Sequence, residues 1–177
     1  MRFVLVRHPE PDIAPGICYG RLDIGLRGDV TETVSAIVSA IGAEAGAVQV
    51  WASPATRCLV VAEAAARTLG ADLLVDPLLQ ELDFGAWEGI AWDSVPRASL
   101  DAWAADPIAF APPEGESGKA LLARVRTVHQ AIVATRQDCV IVSHGGPLKL
   151  LAALFRGEAP DLFAAAPPLG SVQMLTG

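Results

Sequence analysis

Short apolar runs rich in β-branched residues alternate along this chain with longer segments whose apolar residues recur at helical spacing. That alternation restricts the fold more than any other feature of the sequence. Arg2 to Val6 is the first run, Val48 to Ala52 the second, Leu73 to Val75 the third and Cys139 to Val142 the fourth. Ser171 to Leu175 adds a last strand candidate. Between them, Val30, Val34, Ile37, Val38 and Ile41 mark a helix over Asp29 to Ile41, with Gly42 as its stop. Ser53-Pro54 reads as an N-cap followed by proline at the first helical position, opening a helix that runs to about Leu69 before Gly70. Leu121, Leu122, Val125, Val128, Ile132 and Val133 stripe a helix between Lys119 and Arg136, and a further helix follows Ser143-His144-Gly145-Gly146-Pro147 through Phe155. Pro11 to Gly28 lacks a sustained period and reads as a loop, Leu78 to Gly89 is irregular, and Trp92 to Glu116 is proline-interrupted with at most short helices. Strands alternating with helices predict an α/β fold, a three-layer α/β/α sandwich on a mostly parallel sheet. In such sheets ligands bind beyond the carboxyl ends of the strands, beside a topological switch point.

A length of 177 residues, without internal repeat or linker, predicts one domain over residues 1–177. The net charge of −7 argues against a nucleic-acid or anionic-membrane surface, so an anionic substrate has to meet a local cationic pocket. The apolar run at the start is much shorter than a signal-peptide core, and no stretch approaches the ~20 apolar residues of a spanning helix, which leads to the expectation of a cytoplasmic protein. Cys18, Cys58 and Cys139 lack the paired spacing of zinc or redox motifs and are expected to be reduced, mostly buried thiols.

Of the three histidines, His8 and His144 stand where predicted strands end in proline- or glycine-bounded turns, whereas His129 lies within a helix beside Val125 and Ile132 and is expected to be structural. Pro9 restricts His8 to an extended backbone. Arg57 falls in the first turn of the second helix, where the helix dipole already favours anions. Glu81 precedes Asp83-Phe84-Gly85-Ala86-Trp87-Glu88-Gly89, and Glu88 and Glu116 are rival carboxylates in similar surroundings. Arg7-His8, Arg57 after Ser53-Pro54, Glu81 before its glycine-rich segment and Ser143-His144-Gly145 before a helix recur in one order. Together they resemble the histidine phosphatase superfamily, the phosphoglycerate mutase-like family, over nearly the whole chain.

The resemblance implies that His8 takes the phosphoryl group as a phosphohistidine, that Arg7, Arg57 and His144 form the phosphate pocket with His144 donating from a proton-bearing nitrogen, and that Glu81 serves as proton donor to the leaving oxygen. Planar guanidinium forks suit a phosphoryl group whose charge lies on its equatorial oxygens. The Gly145 amide offers a further donor at a helix start. In the loop Cys18-Tyr19-Gly20-Arg21-Leu22-Asp23, Tyr19 and Arg21 are candidates for substrate contact. With Arg7-His8-Pro9-Glu10-Pro11 and Glu81 to Gly89, this loop looks like that of α-ribazole phosphatases, which act late in cobalamin assembly.

Three segments depart from the family pattern. Pro9 replaces the usual glycine or alanine, Glu114 interrupts the glycine-glycine-glutamate-serine loop at Pro112-Pro113-Glu114-Gly115-Glu116-Ser117, and Leu26-Arg27-Gly28-Asp29 lacks the usual threonine. A cysteine phosphatase needs arginine six residues after its cysteine, and those positions hold Ile24, Ala64 and Gly145. No phosphate-cradling glycine loop, nucleophile elbow or metal-ligand spacing is present, so the expectation is a metal-independent phosphomonoesterase without cofactor. Its expected partner is a small phosphorylated metabolite, with a homodimer left open. The alternatives are mutase-type phosphoryl transfer, disfavoured because the chain is compact before Glu81, and a noncatalytic phosphate-binding module.

Overall fold

Alternation along the strands decides which helices cover which face of the sheet. A computed structural model describes residues 1–42 and 46–177. Its strands are β1 (Arg2–Arg7), β2 (Val48–Ala52), β3 (Asp72–Val75), β4 (Asp138–Ser143) and β5 (Val172–Thr176). They lie in the order β3-β2-β4-β1-β5. β1 pairs in parallel with β4, and β2 in parallel with both β4 and β3, while β5 closes the edge antiparallel to β1. The helices are α1 (Thr31–Ile41), α2 (Thr56–Leu69), α3 (Arg97–Ala105), α4 (Gly118–Ala134) and α5 (Gly145–Phe155).

Val4, Val6, Val50, Ala52, Val140 and Val142 face one side and pack with Ile37 and Ile41 of α1 and with Cys58, Val61, Ala62 and Ala65 of α2. Phe3, Leu5, Trp51, Cys139 and Ile141 face the other, against Leu121, Val125, Val128 and Ile132 of α4 and Leu148 and Leu151 of α5. The period of two along each strand thus meets helical stripes above and below, which is the expected three-layer α/β/α sandwich. Each fully buried Val, Leu or Ile contributes roughly 1.5–3 kcal/mol, which makes the two layers the main source of stability. Among the described residues, no helix is long and apolar enough to cross a membrane.

The chain leaves β1 for the α1 and α2 face and leaves the adjacent β4 for the α5 face. β1 and β4 therefore flank the switch point, where a crevice opens at the strands' carboxyl ends. A third apolar cluster stands apart from the two main cores: Cys18, Trp87 and Val95 are buried there, with Phe84, Trp92, Leu100, Trp103 and Phe110 around them. It holds the proline-interrupted segment before α4 in place beside the crevice.

Candidate active site

The strand register itself brings the two histidines together. Arg7 of β1 is paired with Ser143 of β4, so the next residues, His8 and His144, leave the sheet side by side. The His8 amide donates to the Ser143 carbonyl at 3.2 Å, and the two imidazole rings meet edge to face with centroids 5.2 Å apart. His8 Nδ1 lies 2.7 Å from the Pro9 carbonyl. A carbonyl only accepts, so Nδ1 carries the ring proton and Nε2 holds a free electron pair. Burial leaves His8 1% exposed. Its pKa falls from 6.5 to about 4, chiefly because burial penalises the charged ring; the Pro9 hydrogen bond opposes this, and repulsion from Arg57 and Arg7 reinforces it. The ring is neutral across the neutral pH range.

Ala52 of β2 pairs with Val142, which sets Ser53 beside His144. Ser53 was expected to cap α2, but the helix begins at Thr56 with Ala55 as its N-cap residue and no capping bond from Ala55's own side chain. Two contacts account for the difference. Ser53 Oγ is engaged 2.8 Å from His144 Nε2, and the helix end is capped from a distant loop by Asp23, whose carboxylate accepts from the Thr56 amide at 2.8 Å and the Thr56 hydroxyl at 2.7 Å. Arg57 remains in the first turn, fully buried, with Nη1 donating to Leu22 O at 2.9 Å and Nη2 to Gly20 O at 2.6 Å. Nη2 also lies 3.3 Å from His144 Nδ1. Because a guanidinium only donates, Nδ1 accepts and the His144 proton resides on Nε2, facing Ser53. Burial first, then Arg57 and His8, hold the His144 pKa well below the imidazole range.

Glu81 comes to the same place from the segment before Phe84. Its carboxylate accepts from its neighbour's amide, Leu82 N, at 2.9 Å and from Gly146 N in the first turn of α5 at 3.1 Å. Arg7 sends Nη1 to the Pro167 carbonyl at 2.6 Å and packs against Gly145, where a Cβ would fall 3.2 Å from Arg7 Cζ. Arg7, His8 and Glu81 are the polar lining of a cleft of about 190 Å³ whose other walls are Ile17, Tyr19, Phe84 and Trp92. The Tyr19 ring also lies over the Arg57 guanidinium, 5.4 Å from centroid to Cζ. Gly20 lets this loop approach, since a Cβ there would stand 2.0 Å from the Leu82 carbonyl.

Other candidates take different positions. Arg21 is turned toward Asp83 and Glu116, each at 3.5 Å, and does not line the cleft. Glu116 is paired with Arg124, and Glu88 accepts from the amides of Arg21, Leu22 and Phe84, so both rival carboxylates are occupied by the scaffold. His129 packs on Phe155 away from the site, with centroids 4.8 Å apart. All three cysteines are free and buried, and burial pushes the Cys18 and Cys58 thiols up to about 12, which keeps them protonated and unreactive.

Four buried side-chain nitrogen or oxygen atoms among the described residues have no hydrogen-bond partner, and two of them are Arg7 Nε and Arg57 Nε. A buried donor without an acceptor costs roughly 1–3 kcal/mol, and more when charged. Two cationic donors beside a neutral imidazole with a free electron pair suit an oxyanion presenting an electrophilic centre to that pair. Sequence reasoning passed over Ser53 as a site residue, Arg124, and the Ile17, Phe84 and Trp92 walls. Only Arg124 left a signal, as a charge next to the apolar stripe of α4 between Leu121 and Val125.

Residues 3–176 match the profile of the histidine phosphatase superfamily, branch 1. A curated bifunctional protein of Mycobacterium tuberculosis is 33% identical over 159 residues, 86% of this chain and 43% of that protein, so the chain spans less than half the length of this relative. A protein of Hydrogenobacter thermophilus provisionally named phosphoserine phosphatase 2 is 30% identical over 164 residues, 88% of this chain and 79% of the other. Among solved structures, the α-ribazole phosphatase from Shigella flexneri matches with a TM-score of 0.84 at 24% identity, covering 98% of this chain and 89% of the other, which is a likeness of fold.

Proposed function

The chain belongs to the histidine phosphatase superfamily, and from that premise we propose that it is a metal-independent phosphomonoester hydrolase working through a phosphohistidine on His8. The observation that carries this reading is the pair of buried, unpartnered guanidinium nitrogens, Arg7 Nε and Arg57 Nε, in the same site as a histidine whose proton is fixed on Nδ1. In the first step the Nε2 electron pair attacks phosphorus while the guanidinium groups hold the equatorial oxygens. The phosphorus–oxygen bond breaks and the leaving oxygen takes a proton from Glu81. In the second step water attacks the phosphohistidine, gives a proton to Glu81 and releases phosphate from Nε2. For His144 to donate to the phosphate its proton has to stand on Nδ1, and Ser53 permits this by turning its own O–H toward Nε2.

The cleft also bears on the substrate. Ile17, Tyr19, Phe84 and Trp92 offer apolar and aromatic surface to the leaving group, and Arg21 is already engaged by carboxylates. Among the described residues lining the cleft, Arg7 is the sole cation, and the phosphoryl group uses it. This favours a neutral, ring-bearing alcohol over one that carries its own carboxylate. α-Ribazole 5′-phosphate of cobalamin synthesis fits that description, and a broad-specificity role toward small phosphate esters shares the same chemistry. Three unpaired buried thiols accord with our assignment of the reaction to the cytoplasm.

The test is a panel of phosphate monoesters, including α-ribazole 5′-phosphate, phosphoserine and phosphosugars, assayed with wild type and His8→Ala in the presence of a chelator. The expected result is inorganic phosphate release by the wild type without a bisphosphate primer, an acid-labile phosphoenzyme, loss of at least about 10³-fold in the variant, and indifference to chelator. Turnover that survives in His8→Ala would refute the mechanism, and ligand binding without turnover by the wild type would establish a binding module instead.

A further inference from the structure

Glu81 sits on a short irregular segment, yet every carbonyl leading to it is tied down. Arg124 Nη1 donates to Leu78 O and Gln80 O, both at 2.6 Å, and Nη2 donates to Glu81 O at 2.9 Å. The carbonyl between them, Leu79 O, accepts from the buried Ser143 hydroxyl at 2.6 Å. Arg124 itself is locked from behind by Glu116, with Nε to Oε1 and Nη2 to Oε2 both 2.8 Å. The two side chains are 10% and 11% exposed. All five guanidinium N–H donors are therefore spent, three of them on the backbone of one segment. A plain salt bridge needs no such distribution, and a buried charge pair alone is a poor source of stability.

We propose that Arg124, oriented by Glu116, is a positioning residue for Glu81, fixing the carboxyl group where it reaches the leaving oxygen. The inference rests on Glu81 being the proton donor. Among the described residues, Arg124 makes the one hydrogen bond to the Glu81 main chain, with Ser143 holding Leu79 O two residues earlier: the side chain is held by the amides of Leu82 and Gly146, and these contacts orient the carboxylate only if the Cα is already in place. Proton transfer tolerates displacement of well under an ångström, so a tether on the carbonyl of the catalytic residue itself acts directly on the reaction. Lysine could not substitute, because an ammonium has three donors on a point charge and cannot span three carbonyls and both carboxylate oxygens.

The consequence is specific to the chemistry. A leaving oxygen of low basicity departs without a proton, so losing the geometry of the acid harms poor leaving groups and spares good ones. The experiment measures kcat/KM, which reports formation of the phosphoenzyme, for dinitrophenyl, nitrophenyl and phenyl phosphates with wild type, Arg124→Lys, Arg124→Met and Glu81→Gln. Arg124→Lys, which keeps the charge opposite Glu116, is expected to lose about 10²-fold on phenyl phosphate and less than about fivefold on dinitrophenyl phosphate, steepening the leaving-group dependence as Glu81→Gln does. The double variant Glu81→Gln/Arg124→Lys should be no steeper than Glu81→Gln alone. If Arg124→Met unfolds, Arg124→Lys still decides the matter. Equal losses across the series in Arg124→Lys would overturn the positioning role and leave only a structural one. A wild-type slope in Glu81→Gln would instead refute Glu81 as the acid, the reading beneath it.

Discussion

Gly146 gives the sharpest separation of stability from activity at the scale of single residues. It lies in the first turn of α5, where alanine is intrinsically favoured by up to ~1 kcal/mol, yet a Cβ at this position would stand 2.2 Å from Glu81 Oε1. Gly146→Ala is therefore expected to melt close to the wild-type temperature, the helix-propensity gain partly offsetting the lost carboxylate bonds, while kcat/KM falls about 10²-fold, because the carboxyl group is displaced from its amide partners. An unchanged kcat/KM would separate Glu81 from the chemistry. Ser53→Ala acts in the opposite sense. It removes the 2.8 Å partner of the buried His144 Nε2–H and leaves only the weakly accepting Cys58 sulfur at 3.6 Å, and urea unfolding should show a loss of roughly 1–3 kcal/mol.

Among the elements, α2 shows how a site and its scaffold share the same contacts. Its first turn carries Arg57, and its cap comes from Asp23 on the loop whose Gly20 and Leu22 carbonyls Arg57 also holds. Loop and helix end thus fix each other. Asp23→Ala should cost about 1 kcal/mol and raise KM by loosening the loop that carries Tyr19. The bonds from Thr56 hold the Asp23 carboxyl below its usual pKa of 3.8. Its contribution is present above that value and fades as pH falls through the folded pKa, so the stability gap between Asp23→Ala and wild type should be full at neutral pH and close in strong acid. Thermal melts of both proteins across that range would check it.

For the whole molecule, burying two neutral imidazoles makes folding itself sensitive to acid. His8 binds its proton with a pKa of about 4 when folded and 6.5 when unfolded, and His144 is shifted the same way. The unfolded chain then takes up more protons between these values, so stability is full above 6.5 and declines as pH falls toward 4. For His8 alone the decline amounts to about 3 kcal/mol at ~1.4 kcal/mol per unit. Urea unfolding between neutrality and pH 4 should show this slope, and His8→Asn should flatten it. A slope identical in both proteins would mean that His8 is not buried as the neutral ring.

The sequence by itself determined the strands, four of the helices and the layered α/β class, because periods of two and of 3.6 are local properties of the chain, while the face each helix covers came from the fold. It also located Arg7, His8, Arg57 and His144, since strand ends in a parallel sheet share one rim. Tertiary structure decided what those periods do not encode. Ser53-Pro54 carries a sound local helix-start signal, and Ser53 Oγ still accepts from the Ala55 amide at 3.3 Å, but a histidine 91 residues away also engages the hydroxyl and a loop carboxylate caps the Thr56 amide where the helix begins. Arg124 reads as one more charge on a helix until the fold brings the Leu78, Gln80 and Glu81 carbonyls to it across more than 40 residues. Glu81 was preferred over Glu88 and Glu116 by resemblance alone, and their partners in the fold supply the physical distinction. Hydrogen-bond donors and acceptors act at contact distance, and which groups come into contact is fixed only when the sheet and helices close.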